Sequence, residues 1–347
     1  MSGPTEMTGP SDVNTDVNAG TDGPAGLTVV VPCYNEGAQV ETAHRELTGA
    51  LAGIDPLEIL FVDDGSTDDT LERLRRLAAT DPRVRYVSFT RNFGLEAGHA
   101  AGFTYASQPW CAQIDADLQA PPEEIPLLLA KAAEGYDVVF GVRRDRQDPL
   151  PRRIGAAVQQ WAAERLLGIE IPRGASTFRV VRTSVARTLV ELRLGSPYFL
   201  AMVPMVGARY ATVPTGHRPR TAGRSKFRVT RLAAHSFELF FGYSWRPLNA
   251  VYLLAVLGVL LGLPVALLGY AGVGAGGPLA ATAVGLSALA LVETALVGRY
   301  LHRLLRDMRR FRPFYIKEAN VTLRPQDTLG GGAPDLRPPV PRAPAER

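Results

Sequence analysis

The hydrophobic pattern divides the chain into two halves. In the first, short β-branched runs recur and each ends on polar residues: 27–36, 57–66, 83–89, 112–114 and 137–141. Runs of this length bounded by turn residues read as buried strands. Between them lie polar, helix-spaced stretches, among them one that Ser66 or Thr67 would cap and that runs through Arg76. The turn at residues 92–94 precedes a helix rich in small residues, and residues 209–213 read as a returning strand. Alternation of strand and helix predicts an α/β domain with a mainly parallel sheet.

The second half changes character. Residues 152–168 have helical spacing at Ile154, Val158, Trp161, Ala162 and Leu166; this helix either lies on a membrane or packs on the sheet. Residues 197–207 are apolar but broken by prolines and too short to span a bilayer. A basic, glycine-containing stretch follows at 217–228, then an amphipathic helix over 229–243. From Leu248 to Tyr270 no charge occurs, and after a glycine-rich break Leu279 to Val297 is apolar except for Glu293. Both stretches approach the roughly 20 apolar residues a transmembrane helix needs. Trp245 and Tyr300 stand where interfacial aromatics belong. Glu293 is read either as a snorkelling or paired acid near its helix end or as a functional one. The loop between the two helices has no Lys or Arg, whereas six arginines follow between Arg299 and Arg312. Both ends of the hairpin are therefore expected on the cytoplasmic side of the cell membrane, and the arginines suit anionic head groups.

Composition adds boundaries. Residues 1–26 and those from 325 to 347 are poor in large apolar side chains and read as disordered tails, with no signal peptide at the start. The expected organisation is a catalytic domain over 27–228, a juxtamembrane helix over 229–246, two transmembrane helices over 247–300 and a basic segment over 301–324. The formal charge is +4. Cys33 and Cys111 are too few for a disulfide framework and read as buried thiols of a reducing compartment.

The polar strand ends carry the chemistry. Tyr34, Asn35 and Glu36, then Asp63 and Asp64, then Asp115 and Asp117, then Arg143 and Arg144 all follow the carboxyl ends of strands, where open α/β sheets bind ligands. If Asp115 and Asp117 are extended, their carboxylates share a side. With Gln119 two residues on, they offer hard oxygens to Mg²⁺ or Mn²⁺. An isolated D-x-D is more often a cap and a solvated turn acid; four such ends together point to a phosphorylated ligand and a metal. The basic run with Arg220 and Lys226 then reads as an anion site. No strand opens into a G-x-G-x-x-G, which makes a dinucleotide site a weak reading, and no Walker motif is present.

Residues 29–36, 62–68, 91–94 and 115–119 resemble the GT-A glycosyltransferases of family 2, and within them the polyprenyl-phosphate glycosyltransferases such as dolichyl-phosphate mannose synthase and bactoprenol glucosyltransferases. Residues 137–143, 220–226, the two apolar helices and residues 312–316 match that branch as well. The resemblance implies a membrane-anchored inverting transferase that moves a hexose-type sugar from a UDP- or GDP-linked donor to a polyprenyl phosphate. It implies that Pro32, Tyr34, Glu36, Val62 and Asp64 hold the nucleoside. Asp115 and Asp117 would contact the nucleotide sugar and the metal, and Gln119 would complete the metal set. Arg143, Arg220 and Lys226 would bind the diphosphate or the acceptor phosphate. The implied partners are the sugar donor, the lipid phosphate, the membrane and a second copy of the chain, with no nucleic acid. Thr177 stands where the branch usually has an acid, within a Gly-Asp-Phe-Arg segment that here is Ser176, Thr177, Phe178 and Arg179. That departure implies a different substrate, a relocated acid or impaired activity, and two alternatives stand beside the main reading: a transferase with another lipid or glycan acceptor, or a non-catalytic nucleotide-sugar-binding scaffold. The Q-x-x-R-W of processive synthases is absent.

Overall fold

A computed structural model describes residues 26–144, 160–161, 164–165, 172, 174–192, 198–218, 246–270, 276–308 and 313–328. Eight strands form one sheet: β1 (Leu27–Cys33), β2 (Leu57–Asp63), β3 (Val84–Phe89), β4 (Trp110–Gln113), β5 (Val138–Arg143), β6 (Ala175–Arg182), β7 (Tyr210–Thr215) and β8 (Ile316–Ala319). Their order is β7-β5-β6-β4-β1-β2-β3-β8. The pairs β1–β2, β1–β4, β2–β3 and β5–β7 are parallel; β6 runs antiparallel between β4 and β5, and β8 antiparallel along β3. The expected α/β class with a mainly parallel sheet holds.

Every residue of β1 and β2 is buried, as befits strands covered on both faces. Alternation sorts them. Val29, Val31, Ile59 and Phe61 face one core with α1 (Gly37–Ala50), α2 (Thr70–Thr80) and α4 (Ile125–Ala132). Val30, Leu60 and Val62 face the other with α3 (Leu95–Tyr105), α5 (Thr183–Glu191) and α6 (Phe199–Met205). The small residues of α3 let it lie close on β1: a Cβ at Gly102 would overlap Val30, and one at Gly98 would come 3.2 Å from Pro32 Cβ. Within the apolar stretch expected to be too short for a span, Phe199–Met205 form the short helix α6 with Pro204 inside it.

Three expectations change. The helix after β2 starts at Thr70, because the Ser66 hydroxyl accepts the Asn35 N–H and the Thr67 hydroxyl and N–H both donate to Asn35 Oδ1. Residues 316–319, expected within a basic cytoplasmic segment, close the sheet edge on β3. Residues 325–327, expected in a loose tail, form a 3-10 turn whose buried Asp327 accepts the Tyr105 hydroxyl at 2.5 Å. The amphipathic helix expected over 229–243 lies outside the described residues, as does most of 152–168.

Beyond the sheet, α7 (Arg246–Tyr270) and α8 (Gly276–Met308) lie side by side. A Cβ at Gly262 would meet Leu286 Cδ1 at 2.8 Å, and one at Gly258 would meet Leu289 Cδ2 at 3.2 Å. Leu253, Leu260, Leu261, Leu263, Leu267 and Leu291 are exposed. Among the described residues no helix is long and apolar enough to cross a membrane; several side chains of both helices fall outside that set.

Candidate active site

The carboxyl ends of β1, β2, β4 and β5 meet at one edge of the sheet, and the loops after β1 and β2 are laced together there. Besides the Asn35 contacts, the Glu36 N–H donates to Thr70 Oγ1 at 3.1 Å and the Gly37 N–H to Asp68 Oδ2 at 3.2 Å. Asp68 thus serves the first turn of α1 from across the loop. Its pKa lies below the usual carboxylate value: burial pushes it up, but the bonds from Thr70 and Gly37 prevail. Asn35 adopts φ 55°, a left-handed conformation that asparagine tolerates.

Of the nucleoside candidates, Tyr34 is exposed and Glu36 half-buried. Pro32 and Val62 are buried, so their side chains form the floor beneath that edge rather than its surface. Asp64 has a structural duty: its two carboxylate oxygens accept the Phe93 N–H at 2.6 Å and the Gly94 N–H at 2.9 Å. Burial raises its pKa despite those two bonds. The neighbouring Asp63 accepts the Ser66 N–H at 3.0 Å and the Ser88 hydroxyl at 2.6 Å. The second acidic strand end therefore holds the 91–94 turn and the 63–66 loop in place. Gly65 is required where the two touch, with φ +68°.

Asp115 and Asp117 are not extended. β4 ends at Gln113, and residues 115–118 form a turn closed by the Leu118 N–H to the Asp115 carbonyl at 3.0 Å, with Leu118 at φ 49°. The turn, not strand alternation, brings the two carboxylates together. Asp115 Oδ2 accepts the Thr177 hydroxyl at 3.2 Å from the adjacent β6, and Asp117 Oδ1 accepts the Gln119 N–H at 3.3 Å. Burial raises the pKa of Asp115; His99 opposes this, Asp117 adds to it by like-charge repulsion, and Thr177 and Arg179 oppose it.

Those opposing groups form a polar layer behind Asp115 that sequence reasoning missed. His99 is fully buried on α3, with Nε2 against the Gln113 amide and Nδ1 3.4 Å from Glu96 Oε2. Arg179 is buried with its guanidinium 5.6 Å from the ring centres of Phe103 and Phe199. Burial lowers its pKa to about 10, against the pull of Glu96, Tyr198 and Asp115. His217, first residue of the basic run, was missed as well. It stands just past β7, where burial and the Arg143 charge lower its pKa and the Asp117 charge raises it. Its signal was available, since it follows a strand ending on the same sheet edge.

Arg143 ends β5, exposed. Arg220 and Lys226 lie outside the described residues. Asp115, Asp117 and Gln119 supply hard oxygen chemistry on one turn, and like-charge repulsion between the two acids favours a cation. Among the described residues no group of three or more His, Cys, Asp or Glu side chains forms a metal cage. The set fits a divalent ion that draws its other ligands from a bound phosphate. Cys33 and Cys111 are free and buried. Burial pushes both thiols up, Cys111 to about 12, so neither is a nucleophile near neutral pH.

Residues 28–190 match the family model described as Glycosyl transferase family 2. The chain is similar to the undecaprenyl-phosphate 4-deoxy-4-formamido-L-arabinose transferase of Pseudomonas aeruginosa (strain LESB58), with 32% identity over 302 residues, 84% of this chain and 89% of that protein. It is also similar to the putative glycosyltransferase CsbB of Bacillus subtilis (strain 168), with 26% identity over 303 residues, 85% of this chain and 92% of that protein. Among solved structures, mannosyltransferase PcManGT from Pyrobaculum calidifontis, in complex with GDP-Man and Mn²⁺, is 22% identical. That match covers 83% of this chain and 88% of the other at a TM-score of 0.45, too loose a likeness to bear on chemistry. The 32% identity across most of both chains decides between the enzyme and the scaffold: the chain belongs to glycosyl transferase family 2, and it is a glycosyltransferase.

Proposed function

We propose that the protein transfers a sugar from a UDP- or GDP-linked donor to a polyprenyl phosphate, with inversion, at the cytoplasmic face of the cell membrane. One observation carries the reading. The acidic turn after β4 and Arg143 of β5 share a sheet edge in a chain whose later helices, α7 and α8, turn leucines outward. The 25 residues of α7 reach about 37 Å at ~1.5 Å per residue, against a hydrocarbon core of about 30 Å. Its sequence holds no charge after Arg246. Two such helices would keep the sheet edge near a lipid-borne substrate.

The acceptor needs no strong base. A phosphate monoester has a second pKa of about 6 and is largely ionised near neutral pH. Its oxygen attacks the anomeric carbon and forms the new C–O bond, while the bond to the nucleoside diphosphate breaks and its electron pair leaves on the diphosphate. Tyr34 and Glu36 would bound the nucleoside, and Arg143, Arg220 and Lys226 would meet phosphate charge as it develops. Asp115, Asp117 and Gln119 would hold Mg²⁺ or Mn²⁺, which supplies Lewis-acid stabilisation of the leaving diphosphate.

The sugar is read as a hexose. The Pseudomonas relative is named for a formamido-arabinose, which favours a second reading in which the donor carries a modified pentose. The test is transfer by membranes containing the protein, with a panel of UDP- and GDP-sugars including the formamido-pentose, read by mass spectrometry of the lipid product. Metal-dependent product from one donor is the expected result, and Asp117→Asn is expected to abolish it. Product without added metal, or full transfer by Asp117→Asn, would overturn the metal assignment. Transfer to a non-phosphorylated lipid or to a glycan alone would overturn the acceptor.

A further inference from the structure

Three consecutive residues leave β7 and cross the loop that follows Asp117. The Gly216 N–H donates to both oxygens of Glu124, at 3.1 and 2.9 Å. The Arg218 N–H donates to the Gln119 carbonyl at 2.8 Å. The Arg218 guanidinium then divides between two elements: Nη1 reaches Glu46 Oε2 on α1 at 2.6 Å, and Nη2 reaches Glu123 Oε1 at 2.7 Å. Glu123 belongs to the 3-10 turn Pro122–Glu124, immediately beyond the acidic turn. Between the two pinned residues stands His217, near enough to Arg143 and Asp117 to feel both charges.

We propose that Arg218, gripped by Glu46 and Glu123, is a positioning residue that pins the 216–218 strap to the Asp117–Glu124 loop and so fixes His217 against Asp117 and Arg143.

The arrangement suits positioning better than stabilisation. All three charged side chains are substantially exposed, at 39% for Arg218, 38% for Glu46 and 57% for Glu123, and ion pairs of that kind contribute little to stability. What the pair adds is direction: a planar guanidinium holds carboxylates from separate elements in a fixed geometry, which an ammonium with three rotatable donors does less rigidly. A strap docked on the acidic turn sets where its neighbours stand to within fractions of an ångström, the scale on which transfer rates depend. The nucleoside side of the site is built by the β1 and β2 loops, whereas the strap is bonded to Gln119, Glu123 and Glu124 beyond the acidic turn. The clamp is therefore expected to act on turnover rather than on nucleotide affinity.

The inference rests on the transferase reading for its kinetic part, so the test pairs kinetics with a measurement that needs no turnover. Arg218→Ala, Arg218→Lys, Glu46→Gln and Glu123→Gln are made in the full chain. Backbone hydrogen exchange is followed over residues 216–218, alongside melting temperature, affinity for UDP and GDP with Mn²⁺, and kcat and KM for polyprenyl phosphate. In Arg218→Ala, exchange over the strap is expected to rise about tenfold and kcat to fall about tenfold. Nucleotide affinity should stay within about twofold and melting should barely move. Arg218→Lys should recover part of the loss, and the two Glu variants should each show part of it. Unchanged exchange in Arg218→Ala overturns the clamp whatever the activity. So does an activity loss that follows the melting temperature and is not relieved by lysine. If wild type transfers no sugar to any acceptor, the functional reading fails, while exchange and nucleotide affinity still decide the clamp.

Discussion

Gly65 is where the second acidic strand end is most sensitive to a single methyl group. Its φ of +68° lies in the left-handed region, and a Cβ there would stand 2.7 Å from Arg91 Cα and 2.8 Å from its carbonyl oxygen, and closer still to its carbonyl carbon. All three atoms are backbone, so no rotamer change relieves the clash. The opposing segment cannot retreat freely, because Asp64 holds the Phe93 and Gly94 amides and the Arg91 guanidinium lies 4.0 Å from the centre of the Phe93 ring. A left-handed non-glycine residue costs about 1–2 kcal/mol, and overpacking about 1–3 kcal/mol. Gly65→Ala should therefore destabilise by roughly 2–5 kcal/mol. In detergent the apparent melting temperature should fall by roughly 5–15 °C. Gly37→Ala is the control: its Cβ would meet chiefly the end of the Asp69 side chain, which is 48% exposed and tied by its ion pair to Arg73 at 2.8 Å, a surface contact that costs little to shift. It should melt within about 2 °C of wild type. Because the displaced segment is the one Asp64 anchors, nucleotide affinity should fall in Gly65→Ala and hold in Gly37→Ala. Equal melting temperatures for the two variants would refute the reasoning.

Three further outcomes are expected. Asp81 accepts from the Arg83 guanidinium at 2.7 Å and lies 2.8 Å from His44 Nε2, and the Arg83 bonds outweigh burial to hold its pKa well below the carboxylate range. A depressed folded pKa means stability present above the unfolded value of about 3.9 and lost as pH falls through the folded one. Asp81→Asn should thus lower stability at pH 7 by about 2 kcal/mol and flatten the decline of melting temperature below roughly pH 4. Thr177→Val keeps the side-chain volume but removes the hydroxyl that donates to Asp115; kcat/KM should fall about tenfold, measured at saturating metal. Leu260→Lys places a charge on the exposed face of α7, at a cost of about 3 kcal/mol if that face meets lipid. Its signature is a shift of the protein out of the carbonate-resistant membrane fraction; unchanged partitioning would count against the anchor.

The central strands were legible because burial on both faces demands continuous apolar runs: β1, β2, β3 and β5 begin within one residue of those runs and end within three. β6 and β8 were not. β6 carries Ser176, Thr177 and a buried Arg179 among its apolar residues, and β8 has only Ile316 and Ala319 to bury beside Lys317 and Glu318. Neither shows a period, because each is selected by its neighbours. β6 is held antiparallel between two strands, and β8 is held by side chains: Glu318 accepts the Tyr86 hydroxyl at 2.7 Å and the Arg75 Nε at 2.7 Å. The start of α2 was misread for a related reason. Ser66 and Thr67 have the chemistry of caps, but Asn35 from a loop 31 residues earlier uses both.

The site was legible in its parts and not in its division of labour. Strand ends bearing Asp64, Asp115 and Asp117 do gather at one edge, as the alternating pattern required. Sequence spacing cannot distinguish an acid that faces ligand from one that holds the frame, because that depends on which amides lie within reach. Asp64 spends its oxygens on Phe93 and Gly94, whereas Asp115 has the Thr177 hydroxyl on one oxygen and Asp117 beside it. Thr177 stands where the family resemblance leads one to expect an acid. A third carboxylate 3 Å or so from a buried Asp115 would raise the local like-charge repulsion, and a hydroxyl donor does the opposite. The substitution therefore favours the ionised form of Asp115, the form a divalent cation requires. A transferase that had lost its chemistry would have no need of that donor. Thr177→Asp should weaken Mn²⁺ binding at neutral pH or raise the pH at which it begins, and calorimetric titration of Mn²⁺ with a nucleoside diphosphate reads either. Tighter binding in Thr177→Asp would mean that the added acid joins the metal set and that Asp115 needs no neutral partner.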